Sequence, residues 1–247
     1  MKNYNPDTQR LIFDDLINCR ELGGMPLSDG HIFRSGVCLR SGSPSYASHE
    51  ALKLLKEYGV TTVIDLRSEA ELAHNGNPFR EDDEVKFYNV SLFVGDPEQD
   101  EDPMMQFLRT HHLGDFYVIL LEELASRVIQ VIRIILNNND GITLFHCAHG
   151  KDRTGVTAAI LYLLGGASRE DIINNYKVSY DYARHFLDPL IEHKEDDLKH
   201  TLRSDAINME IFLDYIDSKY NGDITTFLIN NGMTNEEIDT LKKKIIL

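Results

Sequence analysis

A cysteine and an arginine six positions apart lie in the segment HCAHGKDRTG, residues 146–155. An apolar run at 142–145 precedes this segment, and a run with helical spacing at 156–164 follows it. This order predicts a strand, a tight loop and a helix. Such a loop directs backbone N–H groups into one concave space, and the helix N-terminus adds a positive dipole. The sequence therefore predicts an oxyanion-binding loop that holds Cys147 and Arg153.

The residue types in this loop predict nucleophilic chemistry at Cys147. A free cysteine has a pKa of about 8.5, and helix N-termini or nearby cations lower such values to about 3.5–7.5. The planar fork of Arg153 can bind two oxygens of a phosphoryl group at once. The hydroxyl of Thr154 can donate to the sulfur and stabilise it as a leaving group. These features predict attack of the Cys147 thiolate on phosphorus and a covalent phosphocysteine intermediate.

Three segments carry a resemblance to a known family. HCAHGKDRTG resembles the Cys-x5-Arg-Ser/Thr signature of the cysteine-dependent protein tyrosine and dual-specificity phosphatase superfamily, and its inner GKDRTG is similar to the bacterial tyrosine/lipid phosphatase family. NCRELGG and HIFRSGVCLRSG, within residues 18–42, and VIDLRSEAE, residues 63–71, are similar to further elements of that family, in the same order. Cys19 departs from the pattern, because the family usually has an aromatic residue there.

The resemblance implies a protein-tyrosine-phosphatase-type hydrolase that needs no metal or other cofactor. Its substrate would be a phosphorylated protein or a phosphoinositide, with phosphotyrosine favoured over phosphoserine/threonine, and phosphate would be the product. A catalytically silent phosphate-binding module is the alternative, although such a module would be expected to lose the cysteine, the arginine or the acid. The residues implied to bind phosphate are Cys147, Ala148, His149, Gly150, Lys151, Asp152 and Arg153.

Two aspartates are candidates for the general acid that protonates the leaving group. Asp152 lies inside the loop, and relatives with GKDR use that aspartate near the leaving group. Asp96, in the segment VGDPEQD, is the alternative, because many members of the superfamily place their acid on a mobile loop outside the oxyanion-binding loop. Asp96 could equally be a turn residue before Pro97. We favour Asp152 because it belongs to the predicted site.

Several other side chains near these motifs have a functional and a structural interpretation. His146 could tune the thiol, but we expect it to hydrogen-bond the backbone and hold the loop in shape. Lys151 could be a solvated side chain, or it could face the substrate, as the resemblance implies for phosphatases that act on phosphoinositides. Asp65 and Arg67 could reach the site, but a buried ion pair is the favoured interpretation. We expect packing roles for the remaining cysteines, Cys19 and Cys38.

The order of predicted elements favours an α/β fold. We expect helices at 48–58 and 115–136, strands at 60–66, 85–90 and 142–145, and a long loop at 94–106. Alternation of strands and helices predicts a mainly parallel central sheet flanked by helices, with the ligand at the carboxyl ends of the strands. The resemblance implies the same, a protein tyrosine phosphatase-like fold.

Length and pattern together predict one phosphatase domain over residues 1–247. We expect a sheet-containing catalytic core at 18–166 and a helical C-terminal extension at 167–247 that packs on it. A hydrophobic content of 42% is sufficient for a sizeable core.

The net charge of −15 argues against binding to nucleic acid or to anionic membrane surfaces. Three cysteines form no disulfide framework and suit a reducing compartment. We see no signal peptide at the start of the sequence, and no apolar stretch approaches the roughly 18 residues of a transmembrane helix. We therefore expect a cytoplasmic protein without an integral membrane segment by default, with secretion by a signal-independent route as the alternative.

Overall fold

The computed structural model describes residues 4–13, 15–93, 95–97 and 99–247, and the strands in these ranges form a single mixed sheet. The strands are β1 (Arg20–Glu21), β2 (Cys38–Ser41), β3 (Val60–Asp65), β4 (Lys86–Asn89) and β5 (Ile142–His146). Their order in the sheet is β1-β2-β5-β3-β4. Only the β1–β2 pair is antiparallel among these strands, and the other neighbours run parallel. The predicted mainly parallel sheet is confirmed.

Helices flank this sheet and account for the whole C-terminal third of the chain. The α-helices are α1 (His49–Tyr58), α2 (Glu69–Asn75), α3 (Pro103–Leu108), α4 (Leu113–Glu123), α5 (Ala125–Asn137), α6 (Arg153–Gly165), α7 (Arg169–His193), α8 (Ala206–Tyr220), α9 (Ile224–Asn230) and α10 (Asn235–Ile245). Short 3-10 turns lie at Pro6–Gln9, Ser28–Gly30, Pro44–Tyr46, Pro78–Glu81 and Lys199–Leu202. The prediction of a helical C-terminal part is confirmed.

The central strand β5 positions the segment that follows it. All five of its residues are buried, and they alternate between the two faces of the sheet. Leu144 packs in the apolar cluster beneath α1, whereas Phe145 packs in the larger cluster beneath the other helices. In the sheet register, His146 pairs with Ser41 on one side and with Asp65 on the other. The carboxyl ends of three parallel strands therefore meet where the loop begins.

Helix α6 leaves that loop and runs through the interior. Nearly all of its residues are buried, which fits a run that is apolar on every side. It ends at Gly166, which has a left-handed backbone (φ +80°). No helix in the described part of the chain combines the length and the apolar character needed to span a bilayer.

The prediction of one helix over 115–136 is wrong in one respect, because the structure has two helices there. Leu124 separates α4 from α5 with a non-helical backbone (φ −112°, ψ 20°). The apolar spacing continues across the break, so the sequence pattern does not reveal it. The two helices diverge at that residue, since α4 packs against α8 and α5 packs against α10.

The loop predicted over 94–106 ends earlier than expected, because α3 begins at Pro103. Asp102 caps that helix by accepting from the backbone N–H of Met104. Residues 94 and 98 of the predicted loop lie outside the described residues.

Candidate active site

Hydrogen bonds from outside hold the carbonyl groups of the loop at 147–152. The backbone N–H of Ser43 donates to the Ala148 carbonyl at 2.9 Å. The Asn18 side-chain amide donates to the carbonyls of His149 and Gly150, at 3.0 and 2.9 Å. The Gly150 carbonyl also accepts a bond of 2.9 Å from the Arg40 guanidinium. These contacts turn consecutive carbonyls of the loop away from its centre.

The N–H groups of the same loop consequently face inward. In a trans peptide the carbonyl and the following N–H point in opposite directions, so an outward carbonyl implies an inward N–H. Within the described residues, none of the backbone N–H groups of 148–152 donates to a protein acceptor. Several convergent donors of this kind form an anion-binding concavity. The loop therefore has the shape and the unused donors that an anion-binding site requires.

Gly150 permits the tightest point of this loop. Its φ of +69° lies in the left-handed region, and a Cβ atom there would lie 2.3 Å from the backbone carbonyl of Ser41. That distance is far below van der Waals contact, so any side chain at 150 would push the loop off β2. The carbonyl of Gly150, which Asn18 and Arg40 both bind, would move with it.

His146 holds the start of the loop, as the sequence predicted. Its Nδ1 lies 3.1 Å from the Cys147 carbonyl, an acceptor only, so Nδ1 carries the proton. Its Nε2 accepts from the Asn77 side-chain amide at 2.9 Å, and that amide also donates to Asp65. Burial lowers the pKa of His146, so the ring is neutral at pH 7. The side chain is fully buried and restrains the backbone of the nucleophile candidate.

Asp65 and Arg67 form the buried ion pair that the sequence predicted. The Arg67 Nη2 atom lies 2.8 Å from Asp65 Oδ2, and Nε lies 3.0 Å from Oδ1. Both side chains are at most 2% exposed. Cys19 and Cys38 are buried as well, in agreement with packing roles.

Cys147 lies directly after β5, at the entrance to the loop, and only 1% of its surface is exposed. Two guanidinium groups act on its sulfur electrostatically, those of Arg40 and Arg153. Arg153 is the first residue of α6, so the structure brings the two predicted residues to the same loop.

Glu71 binds the arginine of the loop with both carboxylate oxygens. Arg153 Nη1 lies 2.6 Å from Oε2 and Nη2 lies 2.8 Å from Oε1. Burial alone lowers the pKa of Arg153, but the Glu71 carboxylate outweighs it and the net pKa is raised. A guanidinium has five N–H donors, and this pair uses two of them. Three donors are left for an oxyanion, in an orientation that Glu71 fixes.

The hydroxyl of Thr154 lies in the first turn of α6 and is completely buried. Among the described residues it has no hydrogen-bond partner. Buried hydroxyls are normally paired. The Thr154 hydroxyl is therefore available as a donor at the point where the loop enters α6.

A known protein family matches this chain. The sequence model described as "tyrosine phosphatase family" matches residues 11–247, nearly the whole chain. The chain belongs to the tyrosine phosphatase family. The resemblance of the three sequence segments to such phosphatases is thereby confirmed.

Two curated relatives carry corresponding names. A candidate tyrosine-protein phosphatase of Cupriavidus necator is 32% identical over 171 residues, which cover 67% of this chain and 61% of that protein. A tyrosine-protein phosphatase of Nostoc commune is 36% identical over 136 residues, or 55% of this chain and 45% of that protein. The chain thus spans about half to three fifths of the length of these relatives. Among solved structures, TpbA of P. aeruginosa is 15% identical, with a TM-score of 0.43 and coverage of 82% of this chain and 91% of that one.

Asp152 in this tyrosine phosphatase family member is held by two neighbours. The Tyr117 hydroxyl donates to its Oδ1 at 2.5 Å, and the Lys151 ammonium lies 2.7 and 2.8 Å from its two oxygens. Burial and the Asp152 charge raise the pKa of Tyr117 well above its usual value, so this hydroxyl stays a donor. Tyr176 completes the group, with its hydroxyl 2.7 Å from that of Tyr117.

The interpretation of Lys151 as a solvated side chain is wrong. The residue is fully buried, and its ammonium donates to the Thr201 carbonyl at 2.8 Å in addition to Asp152. The short 3-10 turn Lys199–Leu202 supplies that carbonyl. Sequence inspection could not foresee this contact, because the turn lies 50 residues further along the chain.

Asp96, the other acid candidate, takes part in contacts of its own segment. Its backbone N–H donates to Asp102 at 2.9 Å, and its carboxylate accepts from the Gln99 side chain at 2.9 Å. Asp102 in turn caps α3. The structural interpretation of Asp96 as a turn residue fits these bonds.

Sequence reasoning missed several residues that shape the site: Asn18, Arg40, Glu71 and Tyr117. Asn18 and Arg40 lie in segments that the family resemblance had marked, and Glu71 is the glutamate that follows D-L-R-S. The motifs that contain these residues can be recognised in the sequence. Their contacts with the loop depend on which strands are neighbours in the sheet, which the motifs do not show. In the sequence, Tyr117 stands out only as one of several apolar residues at helical spacing, a pattern that is typical of core residues.

We predict that Glu71→Gln lowers kcat/KM about ten- to hundredfold, because a neutral amide loses one charge-assisted bond to Arg153 and leaves a buried charge unbalanced. Steady-state kinetics on p-nitrophenyl phosphate measure the effect. Glu69→Gln is the matched control, since Glu69 lies on the same helix but is exposed. Equal kinetics in Glu71→Gln and Glu69→Gln would contradict a role for the pair.

Proposed function

We propose that the protein is a cysteine-dependent phosphatase that hydrolyses phosphate monoesters, with phosphotyrosine as its preferred substrate. The observation that carries this proposal is the set of inward N–H groups around Cys147 and Arg153. A phosphoryl group presents three oxygens that such donors can bind together. The family and the names of the two curated relatives support the same activity.

In the first step, the Cys147 thiolate attacks phosphorus in line with the leaving oxygen. The P–S bond forms while the P–O bond to the substrate breaks, and the general acid donates a proton to the departing oxygen. The backbone N–H groups of 148–152 and the remaining donors of Arg153 hold the three other oxygens. The leaving phenol or alcohol departs neutral, and the phosphoryl group stays on sulfur.

In the second step, water attacks the phosphorus of the phosphocysteine. The P–S bond breaks, its electron pair returns to sulfur, and the former acid accepts a proton from the water. The unpaired hydroxyl of Thr154 is suited to donate a hydrogen bond to the departing sulfur. Inorganic phosphate is released and the thiolate is regenerated.

We favour Asp152 as the general acid over Asp96. The bonds from Tyr117 and Lys151 fix the Asp152 carboxylate within the phosphate-binding loop, next to Arg153. A fixed carboxylate within reach of the leaving oxygen meets the geometric requirement of proton transfer. The Asp96 carboxylate would have to break its hydrogen bond with Gln99 and move in order to reach the leaving oxygen.

The contacts of Lys151 favour phosphotyrosine over phosphoinositides. A phosphoinositide head group carries further phosphates, which need additional cations at the site. Lys151 is the lysine of the loop, but its ammonium already binds Asp152 and the Thr201 carbonyl in the interior. Recognition of a second phosphate would require this lysine to abandon both partners.

The central test uses Cys147→Ser. We expect this variant to lose turnover of p-nitrophenyl phosphate, measured without added metal, while it still binds inorganic phosphate or vanadate. A serine hydroxyl is not ionised near pH 7, but the N–H donors of the loop are unaffected. Persistent turnover would refute the proposed nucleophile. An inactive native protein that binds phosphate would instead identify the catalytically silent module.

For the substrate class, we predict that kcat/KM is at least about tenfold higher on phosphotyrosyl peptides than on phosphoinositides, because Lys151 is engaged. We expect a lower value on phosphoseryl peptides as well, on the support of the family and the names of its members. A side-by-side panel measured by phosphate release gives the ratios. A preference for phosphoinositides would overturn the substrate assignment and leave the phosphatase assignment intact.

For the general acid, we predict that Asp152→Asn lowers kcat on a phosphotyrosyl peptide by about 10²–10⁴-fold. The loss should be smaller on p-nitrophenyl phosphate, since nitrophenolate leaves readily without a proton. Asp96→Asn is the comparison variant and should retain most activity on both substrates. The opposite ranking of the two variants would make Asp96 the acid.

A further inference from the structure

Two fully buried arginines behind the loop have no carboxylate partner in the part of the chain that the structure describes. Arg67 and Arg153 are buried and each binds a carboxylate. Arg20 and Arg40 are also buried, at 0% and 1% exposure, but no acidic side chain of the described residues lies within ion-pair distance of either. An isolated charge in the interior is costly, so structures normally supply a counter-charge.

The acceptors around these two arginines are all neutral. Arg40 donates to the Asn175 Oδ1 atom and to the Gly150 carbonyl, both at 2.9 Å. Arg20 donates to the Asn175 carbonyl and to the Ser179 hydroxyl, both at 2.9 Å. These bonds fix the guanidiniums in place and leave both positive charges unbalanced.

The other charged groups that face the loop cancel in pairs. Arg153 is balanced by Glu71, and Lys151 is balanced by Asp152. On the β3 side, the buried Asp65–Arg67 pair is balanced in the same way. The sum of these pairs is zero, so they contribute no net positive charge.

Among the nearby titratable groups, His146, His149, Tyr4, Tyr162 and Tyr182 are neutral at pH 7, whereas the carboxylate of Asp7 accepts from Tyr182 and that of Asp171 acts on Tyr4. Burial lowers the pKa of His146, and it lowers that of His149 to about 4. Tyr4 and Tyr162 face the arginines from the other side, and burial raises the pKa of Tyr4 to about 12 and that of Tyr162 further. The net positive charge behind the loop therefore comes from Arg20 and Arg40.

We propose that Arg40 is a positioning residue whose unbalanced charge stabilises the Cys147 thiolate and the bound phosphoryl group from behind the loop. Asn175 and the Gly150 carbonyl hold it there, and the thiolate is its counter-charge. This inference rests on the proposed function, in which Cys147 is the nucleophile.

The position of Arg40 at the base of α6 supports this role. A methyl group at Gly155, two residues after Arg153, would lie 3.5 Å from Arg40 Nη2, so the guanidinium lies against the first turn of α6. Burial and the charge of Arg20 lower the pKa of Arg40 to about 9, whereas a Cys147 thiolate acts in the opposite direction. Arg40 thus stays protonated at pH 7, and a thiolate at Cys147 stabilises its positive charge.

The first test is a titration of Cys147 in two Arg40 variants. The thiolate absorbs in the ultraviolet, and subtraction of the matching Cys147→Ser protein isolates its signal from tyrosines. In Arg40→Met, we expect the midpoint to move upward by about one pH unit or more, so that the thiolate fraction below the midpoint falls about tenfold. In Arg40→Lys, which keeps the charge but loses the forked bonds, we expect a smaller shift.

The second test neutralises Arg40 without removing its hydrogen bonds. Asn175→Asp keeps an oxygen acceptor for Arg40 Nη1 and gives this guanidinium a carboxylate partner. We expect the Cys147 midpoint to rise as in Arg40→Met. The new charge is paired with Arg40, but the variant loses the amide bonds to Tyr4 and Gln9, so thermal unfolding is measured alongside. This variant decides the question if Arg40→Met fails to fold.

An unchanged midpoint in Asn175→Asp would overturn the proposal, since a merely structural Arg40 would not respond to a neighbouring charge. Equal upward shifts in Arg40→Met and Arg40→Lys, with none in Asn175→Asp, would likewise assign Arg40 to loop shape alone. The titration needs no turnover. Failure of the proposed function, seen as activity in Cys147→Ser, is therefore distinct from failure of this inference.

Discussion

The structure of the site depends on the outward restraint of the loop carbonyls at 147–151. Backbone polar groups in an interior must be paired. Here the carbonyls are paired with donors outside the loop, whereas the N–H groups of 148–152 have no acceptor among the described residues. The donors come from well-separated parts of the chain, namely Asn18, Arg40, Ser43 and His146. Restraint of the outward carbonyls thus leaves the N–H groups of the loop facing inward, where they can bind an anion.

The sheet order makes this restraint possible. Strand β5 lies between β2 and β3, so the loop after it is flanked by the carboxyl ends of both neighbours. Strand β2 presents Arg40 and β3 leads to α2 and Glu71, whose carboxylate orients Arg153. The loop arginine is electrically balanced by that carboxylate. Behind the loop, the buried guanidiniums of Arg20 and Arg40 bind neutral acceptors only, among the described residues.

The loop and its flanking elements could be predicted from the sequence because their signals are local. The strand–loop–helix order around Cys147, the buried pair of Asp65 and Arg67, and the backbone role of His146 all follow from residue types near one another in the chain. The break at Leu124 was missed because apolar spacing continues through it, and the burial of Lys151 depends on a turn 50 residues away. Arg40 illustrates the same limit, since a lone arginine in a strand gives no sign that its charge is unbalanced.

The phosphocysteine intermediate is the central claim, and trapping it is the most direct test. The protein would be mixed rapidly with a phosphotyrosyl peptide carrying radiolabelled phosphate, quenched in acid and digested for peptide mapping. We expect label on the peptide that contains Cys147, in an amount that approaches one phosphoryl group per active site when breakdown is slow. Label on a different residue, or steady turnover with no labelled protein at any time, would contradict it.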